Sequence, residues 1–221
     1  MRRVLVLRPE PGASATVERA RQRGLDAISV PLFEIQPIDW NPPDPAGFDG
    51  LLVTSANAIR TAGDRVQALR GLPVYAVGRA TAEAAREGGF AIKAIGKSNL
   101  EALLDSLETD LKLLHLCGED RRDAHVARQE ITPVIVYRSK PTAAPDLSSA
   151  RGAIALIHSP RAGRRFAELV KDRSQVPIAA ISRAAAEEVG GGWKSLDIAD
   201  QPTDQALLAL ASRLCNNPHP K

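Results

Sequence analysis

Cysteine is scarce: the 221-residue chain carries two, Cys117 and Cys215. Two thiols do not make the disulfide framework of a small exported domain, so reduced thiols and a cytoplasmic setting are expected. Aromatic residues make up 4%, which argues against single-stranded nucleic acid, whose bases are usually stacked on aromatic rings. Charge is nearly balanced at a formal +3, and the lysines and arginines are scattered rather than gathered in a stripe. Nucleic acid is therefore not an expected partner. No apolar run approaches the roughly 20 residues of a membrane helix, so no membrane association is expected. The start MRRVLVLRPEPG, interrupted by Arg8 and Pro9, reads as a first strand rather than a signal peptide. There is no Walker loop and no GxSxG elbow around Ser55 or Ser159, and GRATAEAAREGG (78–89) reads as helix rather than a dinucleotide turn. His115 and Cys117 share a strand face, but two ligands do not make a zinc site. Neither a metal nor an organic cofactor is expected.

A 44% hydrophobic fraction supplies ordinary packed cores. Short apolar runs at 3–8, 26–30, 50–54, 74–77, 91–95, 112–117, 153–158, 177–181 and 195–199 read as strands. Amphipathic stretches at 13–23, 57–69, 80–88, 98–108, 161–172, 184–190 and 203–214 read as helices between them. Strands apolar along their whole length that alternate with helices mean α/β architecture, with doubly wound parallel sheets covered on both faces. The tail CNNPHPK (215–221) is expected to be disordered.

The strand exits repeat. LLVTSANAI (51–59) and ALIHSPRAG (155–163) both run from an apolar stretch into a serine, and Ser159 follows Ser55 by 104 positions (159 − 55). The same shift places PIAAISRAAAE (177–187) on PVYAVGRATAE (73–83), and Leu207 and Leu208 on Leu103 and Leu104. A period this long is a duplicated domain-sized unit rather than a solenoid. The first copy has four strands between 50 and 117 and the second only three between 153 and 199. The N-terminal pair, 3–8 and 26–30, completes the second to five. The expected organisation is a discontinuous domain of residues 1–35 and 143–221 with a second domain, 46–130, inserted in it. Proline-rich segments 36–45 and 131–142 are expected to cross side by side as a two-stranded linker.

In doubly wound sheets ligands sit outside the carboxyl ends of the strands, where helix amides point outward and favour anions. TSAN (54–57), VGRAT (77–81), CGED (117–120), HSPR (158–161) and ISRA (181–184) all fall there. Ser55, Thr81, Ser159 and Ser182 read equally as helix N-caps, and a capped helix start is itself an anion site. Arg8, Arg79, Arg161 and Arg183 follow the same edges and can pair with ligand carboxylates, Arg8 and Arg161 standing nearest the strand ends. Cys117 reads as buried packing, since nothing nearby in sequence activates it. Tyr137, one of two tyrosines, falls on the second crossing, beside any cleft between the domains, or packs there as a hinge aromatic.

Together, LVLRPEPGA (5–13), PLFEI (31–35), DGLLVTSANAI (49–59), LPVYAVGRATAEAAREGGF (72–90), LLHLCG (113–118), VYRS (136–139) and HSPRAGRRF (158–166) resemble the uroporphyrinogen-III synthase family. That resemblance implies two flavodoxin-like domains joined by a two-stranded linker, and a cofactor-free lyase. Its substrate would be hydroxymethylbilane, a linear tetrapyrrole polycarboxylate, which is closed to uroporphyrinogen III with loss of water and inversion of ring D through a spiro intermediate. Tyr137 matches the tyrosine that helps the hydroxyl leave. The implied substrate-binding set is Arg8, Pro9, Ser55, Ala56, Asn57, Gly78, Thr81, Cys117, Gly118, Ser159, Arg161, Ser182 and Arg183. The resemblance further implies a monomer in transient contact with hydroxymethylbilane synthase. Two departures stand out: Asn57 where some relatives carry arginine, and Ala184 and Ala185 where relatives carry threonines. A two-lobed cytoplasmic binding protein for a small anion would share the hinge and cleft. A nucleotide-sugar transferase would share the paired domains but lacks its nucleotide loop here.

Overall fold

The structure, a computed structural model, describes residues 2–96, 99–121 and 128–216. In chain order the elements begin with β1 (Val4–Val6), α1 (Gly12–Gln22), β2 (Ala27–Ser29) and β3 (Phe33–Pro37). They continue with β4 (Gly50–Val53), α2 (Ala56–Thr61), β5 (Val74–Ala76), α3 (Arg79–Glu87), β6 (Ile92–Ile95), α4 (Leu100–Asp105), β7 (Lys112–Gly118) and β8 (Glu130–Pro141). The last are β9 (Ile154–Ile157), α5 (Pro160–Leu169), β10 (Pro177–Ala180), α6 (Arg183–Val189), β11 (Ser195–Ile198) and α7 (Asp204–Asn216). No helix among the described residues is long and apolar enough to cross a membrane.

The chain divides into two compact units, Met1–Glu34 with Pro141–Lys221, and Ile35–Lys140. In the first, a five-stranded sheet has the order β11-β10-β9-β1-β2, with all neighbours parallel. Val4, Leu5, Val6 and Leu7 have no exposed surface, because alternate side chains enter two cores. Val4 and Val6 pack with Ala13, Val17 and Ala20 of α1 and Leu207, Leu208 and Ala211 of α7. Leu5 and Leu7 pack on the opposite face with Phe166 of α5 and Ala185 and Val189 of α6. The buried positions 13, 16, 17 and 20 of α1, apolar but for Thr16, present one stripe to the sheet, which is why this segment is a helix here.

The second unit carries a six-stranded sheet of order β3-β8-β7-β4-β5-β6. Leu51, Val53, Val74 and Ala76 pack with α2 and α3 on one face, while Leu52 and Tyr75 pack with Leu103 and Leu104 of α4 on the other. Both sheets are thus doubly wound, as the strand and helix pattern indicates. The first is parallel throughout and the second from β8 to β6. Edge strand β3 runs antiparallel to β8, with the Ile38 amide donating to the Val136 carbonyl and the Thr142 amide to the Leu32 carbonyl.

Within the segments 36–45 and 131–142, expected to cross as a two-stranded linker, the end of β3 and most of β8 lie side by side at the edge of the six-stranded sheet. Three expectations are corrected. The helix expected over 57–69 breaks at Gly63 into α2 and a short 3-10 helix, Asp64–Leu69. Helix α7 runs through Cys215 and Asn216, which were assigned to a disordered tail. The helix expected over 98–108 is shorter, with Asn99 capping Leu100–Asp105. Ser98 of that helix and residues 217–221 of the tail lie outside the described residues.

Candidate functional site

In the second unit the chain runs from β4 outward to β5 and β6, then returns to β7 and β8 on the other side of β4. The reversal falls between β4 and β7, where doubly wound sheets bind ligands. Ser55 leaves β4 in extended conformation and caps α2, its Oγ accepting from the Asn57 amide at 3.2 Å. A hydrogen bond also joins its side chain to Tyr137. Tyr137 stands opposite Gly118, the last residue of β7, at a point where the β7–β8 register shifts. A Cβ on Gly118 would lie 2.6 Å from Tyr137 Cζ and 2.9 Å from its Oη, so only glycine leaves room for the ring. The Glu119 amide donates to the Tyr137 carbonyl at 2.9 Å.

Burial pushes the Tyr137 phenol up, the Ser55 hydrogen bond pulls it back, and Cys117 and Asp120 push it up again, with a net rise above the usual tyrosine value. The hydroxyl therefore stays protonated at neutral pH and can donate a proton. Behind it, Thr54 Oγ1 meets Nε2 of the buried His115 at 3.0 Å, which fixes the backbone leading into Ser55.

The neighbouring exit, from β5, is different. Gly78 is the N-cap of α3, and Thr81, expected to be a cap, lies one turn further in and is buried, because the chain enters the helix three residues early. Cys117 is buried too, its thiol directed at the Val134 carbonyl at 3.5 Å. Ala56 and Asn57 are partly exposed in the first turn of α2, and Arg79 is exposed at the start of α3.

In the first unit the reversal lies between β1 and β9. Ser159 caps α5 through the Ala162 amide at 3.2 Å, and Ser182 caps α6 through the Ala185 amide at 3.3 Å. Arg161, in the first turn of α5, lies over the Phe33 ring, 4.4 Å from its centroid, a cation–π contact that orients the guanidinium. Arg183 is exposed at the start of α6, and Pro9 follows Arg8 at the end of β1. Arg8 is gathered with side chains that sequence reasoning did not single out. Asp204, at the start of α7, accepts from Thr16 Oγ1 at 2.8 Å and Arg19 Nε at 2.8 Å, and its Oδ1 lies 3.0 Å from His158 Nε2. The signal available in sequence was slight: Thr203 caps α7 and Asp204 follows it, an ordinary helix start.

A family model described as Uroporphyrinogen-III synthase HemD matches residues 14–209. The chain belongs to that family. The uroporphyrinogen-III synthase of Chlorobaculum parvum is 34% identical over 121 residues, 49% of this chain and 49% of that protein. The match thus spans about half the length of this curated relative. Among solved structures, the uroporphyrinogen-III synthetase of Helicobacter pylori covers 97% of this chain and 100% of its own, with a TM-score of 0.67 at 20% identity. A mutant uroporphyrinogen III synthase from Thermus thermophilus covers 98% of this chain and 100% of its own, with a TM-score of 0.54 at 16% identity. These two carry the fold of the uroporphyrinogen-III synthase family across the whole length. Ser55, Gly118, Tyr137, Ser159 and Asp204 fall inside the span matched to the family model, and Arg8 and Pro9 just before it.

Proposed function

We propose that this chain closes hydroxymethylbilane to uroporphyrinogen III, expelling water and inverting ring D through a spiro intermediate. The carrying observation is the protonated Tyr137 phenol, fixed between Ser55 and the bare backbone of Gly118 at the strand reversal of the second unit. Such a phenol donates its proton to the departing hydroxyl as the carbon–oxygen bond breaks, and water leaves. The resulting cation on the terminal methylene is attacked by the substituted carbon of ring D, giving the spiro centre. The spiro centre keeps this new bond and loses its old one to the methylene between rings C and D. That methylene, left as a cation on ring C, is attacked by the free α carbon of ring D. The proton lost as the pyrrole is restored replaces the one Tyr137 gave. The sum is substrate minus water, with no redox change.

Because the linear substrate also cyclises unaided to the unrearranged type I isomer, the protein's task is to hold geometry more than to lower a high barrier. Amides at the starts of α2, α3, α5 and α6 suit the carboxylates of a flexible polyanion, and fixed dipoles there steady charge that develops on the pyrroles. The test is to feed freshly made hydroxymethylbilane and resolve the type I and type III products. Type III is expected from the native chain, and Tyr137→Phe should reduce its rate by about a hundredfold, the usual scale for losing a positioned acid, without changing the melting temperature. Type I alone from the native chain, or full type III output from Tyr137→Phe, would refute the activity or the tyrosine's role respectively.

A further inference from the structure

Arg8, at the end of β1, does not stand alone. Its Nη1 lies 3.7 Å from Asp204 Oδ1 and 3.5 Å from the hydroxyl of Thr16, which has no exposed surface. That hydroxyl also accepts from Arg19 Nη2 at 3.4 Å while donating to Asp204 at 2.8 Å. Asp204 is thereby shared by groups from β1, α1 and the end of β9, with 17% of its side chain exposed against 35% for Arg8 and 6% for His158. A Cβ on Gly12 would come within 2.7 Å of Arg8 Nε, so the first turn of α1 is left bare where the guanidinium crosses it. Two arginines share Asp204, burial keeps His158 toward its neutral form, and Arg8 also acts by its charge on the Glu10 carboxyl, which accepts from the Ser14 amide and the Ser29 hydroxyl. The cluster lies at the reversal of the first unit's sheet, where ligands bind.

We infer that Asp204, with Thr16, is a positioning residue that aims the guanidinium of Arg8 at a carboxylate of the ligand. The ligand class, a pyrrole bearing acetate and propionate arms, is taken from the activity proposed above. A guanidinium pairs best with a carboxylate when its planar fork is already oriented. Arg8 is a long side chain that would otherwise lose its rotamer freedom on binding. The aspartate holds it by charge from one side and the threonine by a hydrogen bond. The second arginine, Arg19, offsets the aspartate so that the pair does not cancel Arg8.

The experiment is a double-mutant cycle in the full chain, read two ways: KM and kcat with hydroxymethylbilane, and the Kd of uroporphyrin III, a stable octacarboxylate, by fluorescence. Arg8→Gln is expected to raise KM and Kd about tenfold with kcat within about twofold. Asp204→Asn should raise both constants by threefold or more, and the double variant should bind no worse than Arg8→Gln, since one residue acts through the other. Thr16→Val repeats the comparison with a substitution that keeps volume, in case Asp204→Asn folds poorly. Unchanged constants in both Asp204→Asn and Thr16→Val, or effects that add fully to that of Arg8→Gln, overturn the inference. Failure of the native chain to make type III product would overturn the activity alone, because the Kd cycle decides the Arg8–Asp204 relation without turnover.

Discussion

Gly118 and Tyr137 form a lock that works in one direction: the ring is where it is because one residue on the adjacent strand has no side chain. Gly118→Ala would put a methyl 2.6 Å from the ring carbon Cζ, so the ring must swing away from Ser55 or β8 must shift. Overpacking of this kind costs about 1–3 kcal/mol, and the expected outcome is a lowered melting temperature with type III formation falling close to the level of Tyr137→Phe. Full activity at lowered stability would show that the ring position is not needed. In the other unit, His158 and Asp204 set an acid limit. Burial drives the His158 pKa below 6.5, against the opposing Asp204 hydrogen bond. For Asp204, burial acts upward, but the hydrogen bonds from His158 and Thr16, the charge of His158 and the Arg19 hydrogen bond hold it well below 3.8. Both folded values lie below the unfolded ones, so each contribution is complete above the unfolded pKa and is lost as pH falls. The histidine acts from about pH 6.5 downward and the aspartate below about pH 4, each with a slope of up to about 1.4 kcal/mol per pH unit. Urea midpoints measured from pH 7 to 5 should fall less steeply in His158→Gln than in the native chain; equal slopes would remove His158 from this role.

Element boundaries turn on single backbone positions. Gly63 has φ 67° and ψ −166°, and a Cβ there would meet nothing within 4 Å. Gly63→Ala therefore costs only what the backbone conformation costs, roughly 1–3 kcal/mol, read as a loss in urea midpoint with activity per folded molecule unchanged. A loss of activity beyond the unfolded fraction would mean that the break between α2 and the 3-10 helix serves the site as well. The break was invisible in sequence for a physical reason: Ala58, Ile59, Ala62, Val66 and Leu69 are all buried and keep helical spacing across it. The place of β3 and β8 in the sheet was hidden differently. Pro37, Pro133 and Pro141 lack ladder donors and read as parts of a two-stranded linker outside the sheets, yet Pro133 sits in register opposite His115 within the ladder to β7. By contrast β1, β4, β5, β9 and β10 are apolar at every position, and the exits of β4, β9 and β10 into serine made Ser55, Ser159 and Ser182 legible as helix starts. Asp204 was not legible, because its partner Thr16 lies 188 positions away and only the fold of the first unit brings them together.

At the scale of the molecule, the two sheets share one spatial plan reached by different chain orders. The run β9-β10-β11 with β1 and β2 beside β9 matches the run β4-β5-β6 with β7 and β8 beside β4. The 104-residue repeat, which sets Ser159 on Ser55, covers the three-strand blocks, so the two-strand block precedes its partner in the first unit and follows it in the second. The chain therefore reads as a tandem pair in which the outer halves form one unit and the inner halves the other. The outer halves already hold everything a flavodoxin-type order needs, with two cores on opposite faces of one sheet. Where the chain leaves and re-enters this unit, the Thr142 amide donates to the Leu32 carbonyl at 2.9 Å and the Thr142 hydroxyl to the Pro31 carbonyl at 2.9 Å. The two ends are thus adjacent, and a short turn can replace the inserted segment with little added loop entropy. Deleting 35–140 and joining Glu34 to Pro141 through a few glycines should give a chain that melts cooperatively, with native-like helix and strand content by circular dichroism. Such a chain keeps Arg8, Thr16 and Asp204 but lacks Tyr137, so it should form no type III product. A broad, non-cooperative melt with exposed apolar surface would mean that the outer halves need the inserted segment to fold.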